Sequence, residues 1–196
     1  FGSWTTASEE TLIEAINYAV KNKANIINIS LGQSQFYGTS KFDVAIKDAY
    51  DKGVIVVIAA WNGDLLSSNQ IWLDTTSNPI YPVCNNWWSS QYSFWVWASQ
   101  QNGDNTNWSN YGSCVTFWLP GENITSISVP QFSNDYWYDI ADWTSFSAPI
   151  LSWIIALGYN KYWYIPFEII KTELQNSVSD FYWEKVTGSN KVIKVI

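Results

Sequence analysis

Residues 54–60 read VIVVIAA, an unbroken apolar run rich in β-branched side chains, with Gly53 before it and Trp61-Asn62 after it. Seven residues are too few for a buried helix, and the lack of polar alternation means that neither face meets water. The run therefore predicts a strand covered by helices on both sides. Upstream, residues 40–52 carry a helical pattern that ends at Gly53, and NIINISLG at 25–32 is a second apolar β-branched run closed by Gly32. Before it, Thr6 and Glu9 have the spacing of a capping box, and Leu12, Ile13, Ile16, Ala19 and Val20 recur at helical intervals as far as Lys23. Helix, strand, helix, strand with apolar strands predicts right-handed βαβ units and a parallel sheet between two helical layers. Ligands of such sheets sit beyond the carboxyl ends of the strands, here Ser30-Leu31-Gly32 and Ala60-Trp61-Asn62.

Downstream, residues 63–92 are rich in Asn, Ser, Pro and aromatics and read as a long loop. Shorter strands are expected at 94–98 and 115–119, with turns at QNGDN (101–105) and PGENI (120–124). A buried helix running to about Leu157, an amphipathic one from Pro166 to Val178, and an edge strand in the terminal KVIKVI complete the pattern. There is no internal repeat and no linker composition, so residues 1–196 are expected to form a single domain.

Composition narrows the function. Of 196 residues, 47% are hydrophobic and 14% charged, the net charge is −7, and no cluster of basic residues occurs. Nucleic acid is thereby disfavoured as a partner, and no apolar run reaches the length of a membrane span. The sequence has no His and no Met, yet 14 Trp. Without histidine the commonest general base is missing. Cys84 and Cys114 match neither a metal knuckle nor a CxxC motif, and their pairing stays open. No acidic cluster has calcium spacing, so neither metal nor cofactor is expected.

The segment with the chemical interest is DWTSFSAPI, residues 142–150. Hydroxyl residues precede Pro149, which fits the first turn of a helix, and the apolar ILSWIIAL follows. A helix N-terminus offers unpaired amide donors and a partial positive charge, a setting for an oxyanion or an activated serine at Ser145. Taken alone, a serine before an apolar helix is more often a cap.

The ordered segments INISLG, YDKGVIVVIAAWN, WSNYG, PGENI and TSFSAPI resemble those of the subtilisin-like serine proteases, the subtilases, over nearly the whole chain. The resemblance implies a three-layer α/β/α domain on a mostly parallel sheet and an extracellular serine endopeptidase acting on peptide or protein substrates. It places Ser145 at the nucleophile and Asn62 at the oxyanion-hole asparagine. Ser30, Leu31 and Gly32 fall on the strand that pairs with extended substrate. Ala59, Ala60 and Trp61 form one wall of the pocket for the side chain before the scissile bond.

Two departures qualify this reading. The family's catalytic Asp and His belong to segments before INISLG, and this sequence begins at Phe1 without them. It reads as the C-terminal two thirds of a catalytic domain, incomplete at its N-terminus and inactive alone, with the missing segment a possible partner. Tryptophan also stands at 61, 97, 143 and 153, and at Trp4, where the family pattern leads one to expect glycine, a residue chosen for positive φ or close approach. Trp61 is expected to fill the specificity pocket and Trp143 to crowd the turn before Ser145. A carboxylate base at Asp139 or Asp142 is a weaker option, because acids ahead of a helix usually serve its dipole. The rival readings are a non-catalytic relative that at most binds peptide, either a degenerate pseudoprotease or a subtilase scaffold deliberately altered by Gly-to-Trp changes, and a chain too strained to fold stably.

Overall fold

The computed structural model describes residues 8–32, 40–63, 91–104, 106–112, 114–127, 138–180 and 191–193. Helices α1 (Glu9–Lys21), α2 (Ser40–Asp51), α3 (Thr144–Tyr162) and α4 (Phe167–Asn176) surround a sheet in the order β1-β2-β3-β4-β8-β7. Its strands are β1 (Ile26–Ile29), β2 (Ile55–Ala59), β3 (Phe94–Ser99), β4 (Phe117–Pro120), β7 (Val178–Asp180) and β8 (Lys191–Ile193). The pairs from β1 to β4 are parallel, β8 continues in parallel beside β4, and β7 closes the sheet antiparallel to β8. Strands β5 (Ile124–Ile127) and β6 (Tyr138–Ala141) form a separate antiparallel pair.

The opening stretch is the central reason for this architecture. Along β2 and its flanks, Val54, Val56, Ile58 and Ala60 face a core shared with Leu12 and Ile16 of α1 and Phe42, Ile46 and Ala49 of α2. Ile55, Val57 and Ala59 face the opposite core, with Ala148, Leu151 and Ile155 of α3 and Phe167 and Ile170 of α4. Alternate residues of one apolar strand thus feed two cores, giving the three-layer α/β/α domain that the sequence predicts. Each fully buried Val, Ile, Leu or Phe contributes about 1.5–3 kcal/mol of transfer free energy.

Element boundaries move for identifiable reasons. The cap of α1 is Ser8, whose hydroxyl accepts from the Thr11 amide at 3.2 Å, two residues beyond the expected Thr6, which lies outside the described residues. Helix α2 stops at Asp51, and Gly53, with a φ of +77°, lets the chain reverse so that the Val54 amide reaches the Ala49 carbonyl at 2.9 Å. The expected edge strand at the C-terminus is internal: β8 lies between β4 and β7. The expected loop at 63–92 falls largely on residues outside those described.

Helix α3 differs most. It begins at Thr144, five residues ahead of Pro149, and runs to Tyr162, with Pro149 inside it. Its buried stripe of Thr144, Ser147, Ala148, Leu151 and Ile155 has helical spacing, and the stripe packs across β1 to β4. Among the described residues no helix is long and apolar enough to cross a membrane. Cys114 is disulfide-bonded; Cys84, the only other cysteine of the sequence, lies outside the described residues.

Candidate active site

Three chain segments distant in sequence meet at one end of the sheet: the exits of β1 and β2 and the first turn of α3. The contacts that join them involve the residues singled out above. Ser30 Oγ, just past β1, donates to the carbonyl of Ser145 at 3.1 Å. The reason lies in α3 itself. In a helix the Ser145 carbonyl takes its hydrogen bond from the amide of residue 149, and Pro149 has none to give. Ser30 supplies the missing donor from another element.

Asn62, just past β2 and only 6% exposed, accepts the Thr144 amide on its Oδ1 at 2.8 Å. Trp143, the N-cap residue of α3, makes no side-chain capping bond. Asn62 therefore caps the helix from outside, satisfying one of the amides that a helix start leaves unpaired. Because the amide group is planar, fixing Oδ1 on Thr144 fixes the direction of Nδ2 as well. The Phe146 amide is taken by the Trp143 carbonyl at 3.0 Å, whereas the Ser145 amide and hydroxyl have no partner among the described residues. Beside them Thr144 Oγ1 is buried, also with no partner among the described residues.

The turn at 120–124 braces this helix start. The Trp143 amide donates to the Gly121 carbonyl at 2.9 Å, Ser147 Oγ to the Pro120 carbonyl at 3.1 Å, and the Asn123 amide to Asp142 Oδ1 at 2.6 Å. Gly121 is required by proximity: a Cβ there would come within 2.6 Å of the Ala98 Cβ and 3.0 Å of the Trp143 carbonyl oxygen. The Asp142 carboxylate is thus engaged by the turn. That of Asp139, on the exposed hairpin strand β6, accepts the Ile140 amide at 2.8 Å. Among the described residues neither carboxylate is hydrogen-bonded to Ser145, which leaves a carboxylate base there without support.

The remaining residues are placed as follows. Leu31 is exposed, and Ala59 and Ala60 are wholly buried, one in each core. Trp61 has a φ of 69°, and its indole lies against Gly32, 2.9 Å from where a Cβ on that glycine would stand. The ring therefore occupies the space between the two strand ends. Trp143 does not share this backbone strain; its φ of −161° is ordinary extended chain. Trp97 is buried in β3 beside Trp118 at 4.9 Å between ring centroids, and its indole N–H has no partner among the described residues. Trp153 is 67% exposed on α3, and Trp4 lies outside the described residues. The caps from Ser30 and Asn62 link residues 115 and 82 positions apart, and no local pattern announces them.

Comparison with known proteins gives a consistent result. The model of the subtilase family, Peptidase_S8, matches residues 3–191. Alkaline protease 1 of Emericella nidulans is 30% identical over 128 residues, 62% of this chain and 27% of that protein. The thermostable alkaline protease of Halalkalibacterium halodurans is 28% identical over 163 residues, 82% of this chain and 37% of that protein. The chain thus spans well under half the length of these relatives. A crystal structure of a cold adapted subtilisin-like serine proteinase superposes with a TM-score of 0.73 at 20% identity, over 96% of this chain and 62% of that one.

Proposed function

The chain belongs to the subtilase family, and on that premise we propose that it carries the nucleophile and the oxyanion-binding groups of a serine endopeptidase. Ser145 Oγ attacks the peptide carbonyl carbon, and the carbonyl electron pair moves onto oxygen. The oxyanion so formed accepts from the Ser145 amide and from Asn62 Nδ2. Where such a donor has been removed in an enzyme of this type, the loss is about 3–4 kcal/mol of transition-state stabilisation. Collapse of the intermediate breaks the C–N bond and leaves an acyl group on Ser145, which water then removes. The substrate backbone runs extended beside Ser30, Leu31 and Gly32.

The observation that carries this reading is the 2.8 Å hydrogen bond from the Thr144 amide to Asn62 Oδ1, which holds the asparagine amide at the helix start that presents Ser145. The proton of Ser145 needs a base, and these 196 residues contain no histidine. An imidazole and its orienting carboxylate must come from residues beyond them; the 196-residue chain alone does not turn over peptide. The disulfide at Cys114 favours an oxidising, extracellular setting.

A second reading has its own support. With the Trp61 indole over Gly32, the wall expected from Ala59, Ala60 and Trp61 presents a filled slot, as in a non-catalytic relative that binds peptide backbone only. Labelling with a fluorophosphonate, followed by peptide mapping, separates the two. In the protein from its natural source, modification at Ser145 is expected, and the Ser145→Ala variant stays unlabelled. A cooperatively folding sample of that protein that takes no label at Ser145 establishes the second reading.

A further inference from the structure

Tryptophan carries an unusual share of this structure's conformational cost. Among the described residues four non-glycine positions have positive φ, and two of them are Trp61 and Trp163. The other two, Lys23 and Asn123, sit in turns where one such residue is common. Trp61 is at φ 69° with its ring pressed on Gly32. Trp163 is at φ 67° and ψ −66°, and the Tyr164 amide bonds the Tyr162 carbonyl across it at 2.9 Å. This is a γ-turn of the positive-φ kind, the rarer and more strained of the two forms. The indole of Trp163 is 92% exposed, so burial offsets none of that strain. Trp97 adds a cost of another kind, a buried N–H without a partner among the described residues.

Left-handed backbone is where glycine is favoured and a bulky side chain is an outlier. Composition shows the complementary deficit. Glycine ordinarily makes up about 7% of a chain, so one of this length would carry about fourteen. This sequence has 10 glycines and 14 tryptophans. Two tryptophans on backbone that favours glycine point to one shared cause rather than two separate accidents. UGA differs by one base from UGG, the tryptophan codon, and by one base from GGA, a glycine codon. A difference in a single tRNA converts one reading into the other wherever that codon occurs.

We infer that positions 61 and 163 carry glycine in the protein as its own cell makes it, encoded by a codon read there as glycine and in this sequence as tryptophan. Glycine at 163 relaxes the γ-turn that ends α3. Glycine at 61 relaxes the exit of β2 and empties the space over Gly32. Position 61 then determines specificity, the slot between the two strand ends admitting a substrate side chain. That last consequence rests on the proposed protease reading; the assignment of glycine does not.

Peptide mapping by mass spectrometry of the protein isolated from its natural source is the direct test. Glycine at both positions is expected, each visible as the loss of an indolylmethyl group from its peptide; tryptophan at either overturns the inference. A second test uses the whole protein expressed from genes that specify UGG or a standard glycine codon at these sites. Trp163→Gly, remote from Ser145, is expected to raise the melting temperature by several degrees. An unchanged or lower value means that the turn does not call for glycine, and the inference falls. Fluorophosphonate labelling of Ser145 in the natural protein reports on the protease reading separately, so either can fail alone.

Discussion

Ser30 Oγ and the Ser145 carbonyl lie 3.1 Å apart across 115 residues of sequence, and the bond between them stands in for the amide that Pro149 lacks. The start of α3 is consequently held by the sheet as much as by its own helical ladder. Position 30 follows β1, so one side chain ties the end of that strand to the helix that carries Ser145, the proposed nucleophile.

This bond predicts a non-additive pair of substitutions. Ser30→Ala leaves the Ser145 carbonyl without its donor and is expected to cost about 1 kcal/mol. Pro149→Ala returns an amide to the helix, so in the Ser30→Ala background it should recover most of that loss, while alone it changes little. Urea denaturation of the four proteins gives the coupling; strict additivity would mean that the two residues do not share the carbonyl.

Asn62 has a capping half and a donating half, and substitution separates them. Asn62→Ala removes the acceptor of the Thr144 amide and should destabilise by about 1–2 kcal/mol. Asn62→Asp keeps an acceptor, now negatively charged at a helix N-terminus, and should retain most of the stability. In the natural full-length protein, the same Asp variant is expected to lose reactivity at Ser145 by a factor of about 100 or more, because the donor is gone. Paired measurement of unfolding midpoint and fluorophosphonate labelling rate checks both halves.

How much could be read beforehand follows from how local each cause is. β1, β2 and the flanking helices were legible because a strand buried on both faces writes its environment into an unbroken apolar run, as VIVVIAA does. The start of α3 was not, because Pro149 looks like a first-turn residue when the distant Ser30 hydroxyl is unknown. The β5–β6 hairpin escaped notice for another reason: its residues are half-buried or exposed, with no apolar face to betray a strand. The resemblance brought Ser145 and Asn62 into view, but not the orientation of Asn62, which depends on an amide 82 residues away. Trp163 is not legible in the sequence, because an exposed indole after a helix gives no sign of the γ-turn beneath it.

Gly121 tests the brace under α3. A methyl group there meets Ser147 Oγ and Ala98 Cβ, and also the Trp143 carbonyl oxygen at 3.0 Å, an atom that cannot swing aside. Gly121→Ala is therefore expected to destabilise by about 3 kcal/mol through overpacking. Gly158→Ala, on the same helix axis farther along, meets only Ile165 Cδ1 at 3.3 Å, a side-chain tip that can yield. Replacing a mid-helix glycine by alanine there should be neutral or stabilising by up to about 1 kcal/mol. Guanidinium unfolding of the two variants side by side distinguishes a rigid contact from a compliant one.

Tyr159 gives the fold an alkaline limit. Burial, with neighbouring Tyr164 contributing next, raises its phenol to about 12 from an ordinary 10.0. Its hydroxyl donates to the Ile165 carbonyl at 3.3 Å, a bond that only the protonated form can make. The folded state therefore holds this proton more tightly than the unfolded chain does. The resulting stability is complete below about pH 10 and is lost as pH rises toward about 12. Solvent at this half-buried site keeps the effect below what the shift alone implies. Tyr159→Phe removes the ionisable group, so its unfolding free energy should fall less steeply over that interval than that of the parent protein. Equal slopes in urea titrations at pH 9, 10 and 11 would show that the phenol titrates alike in both states.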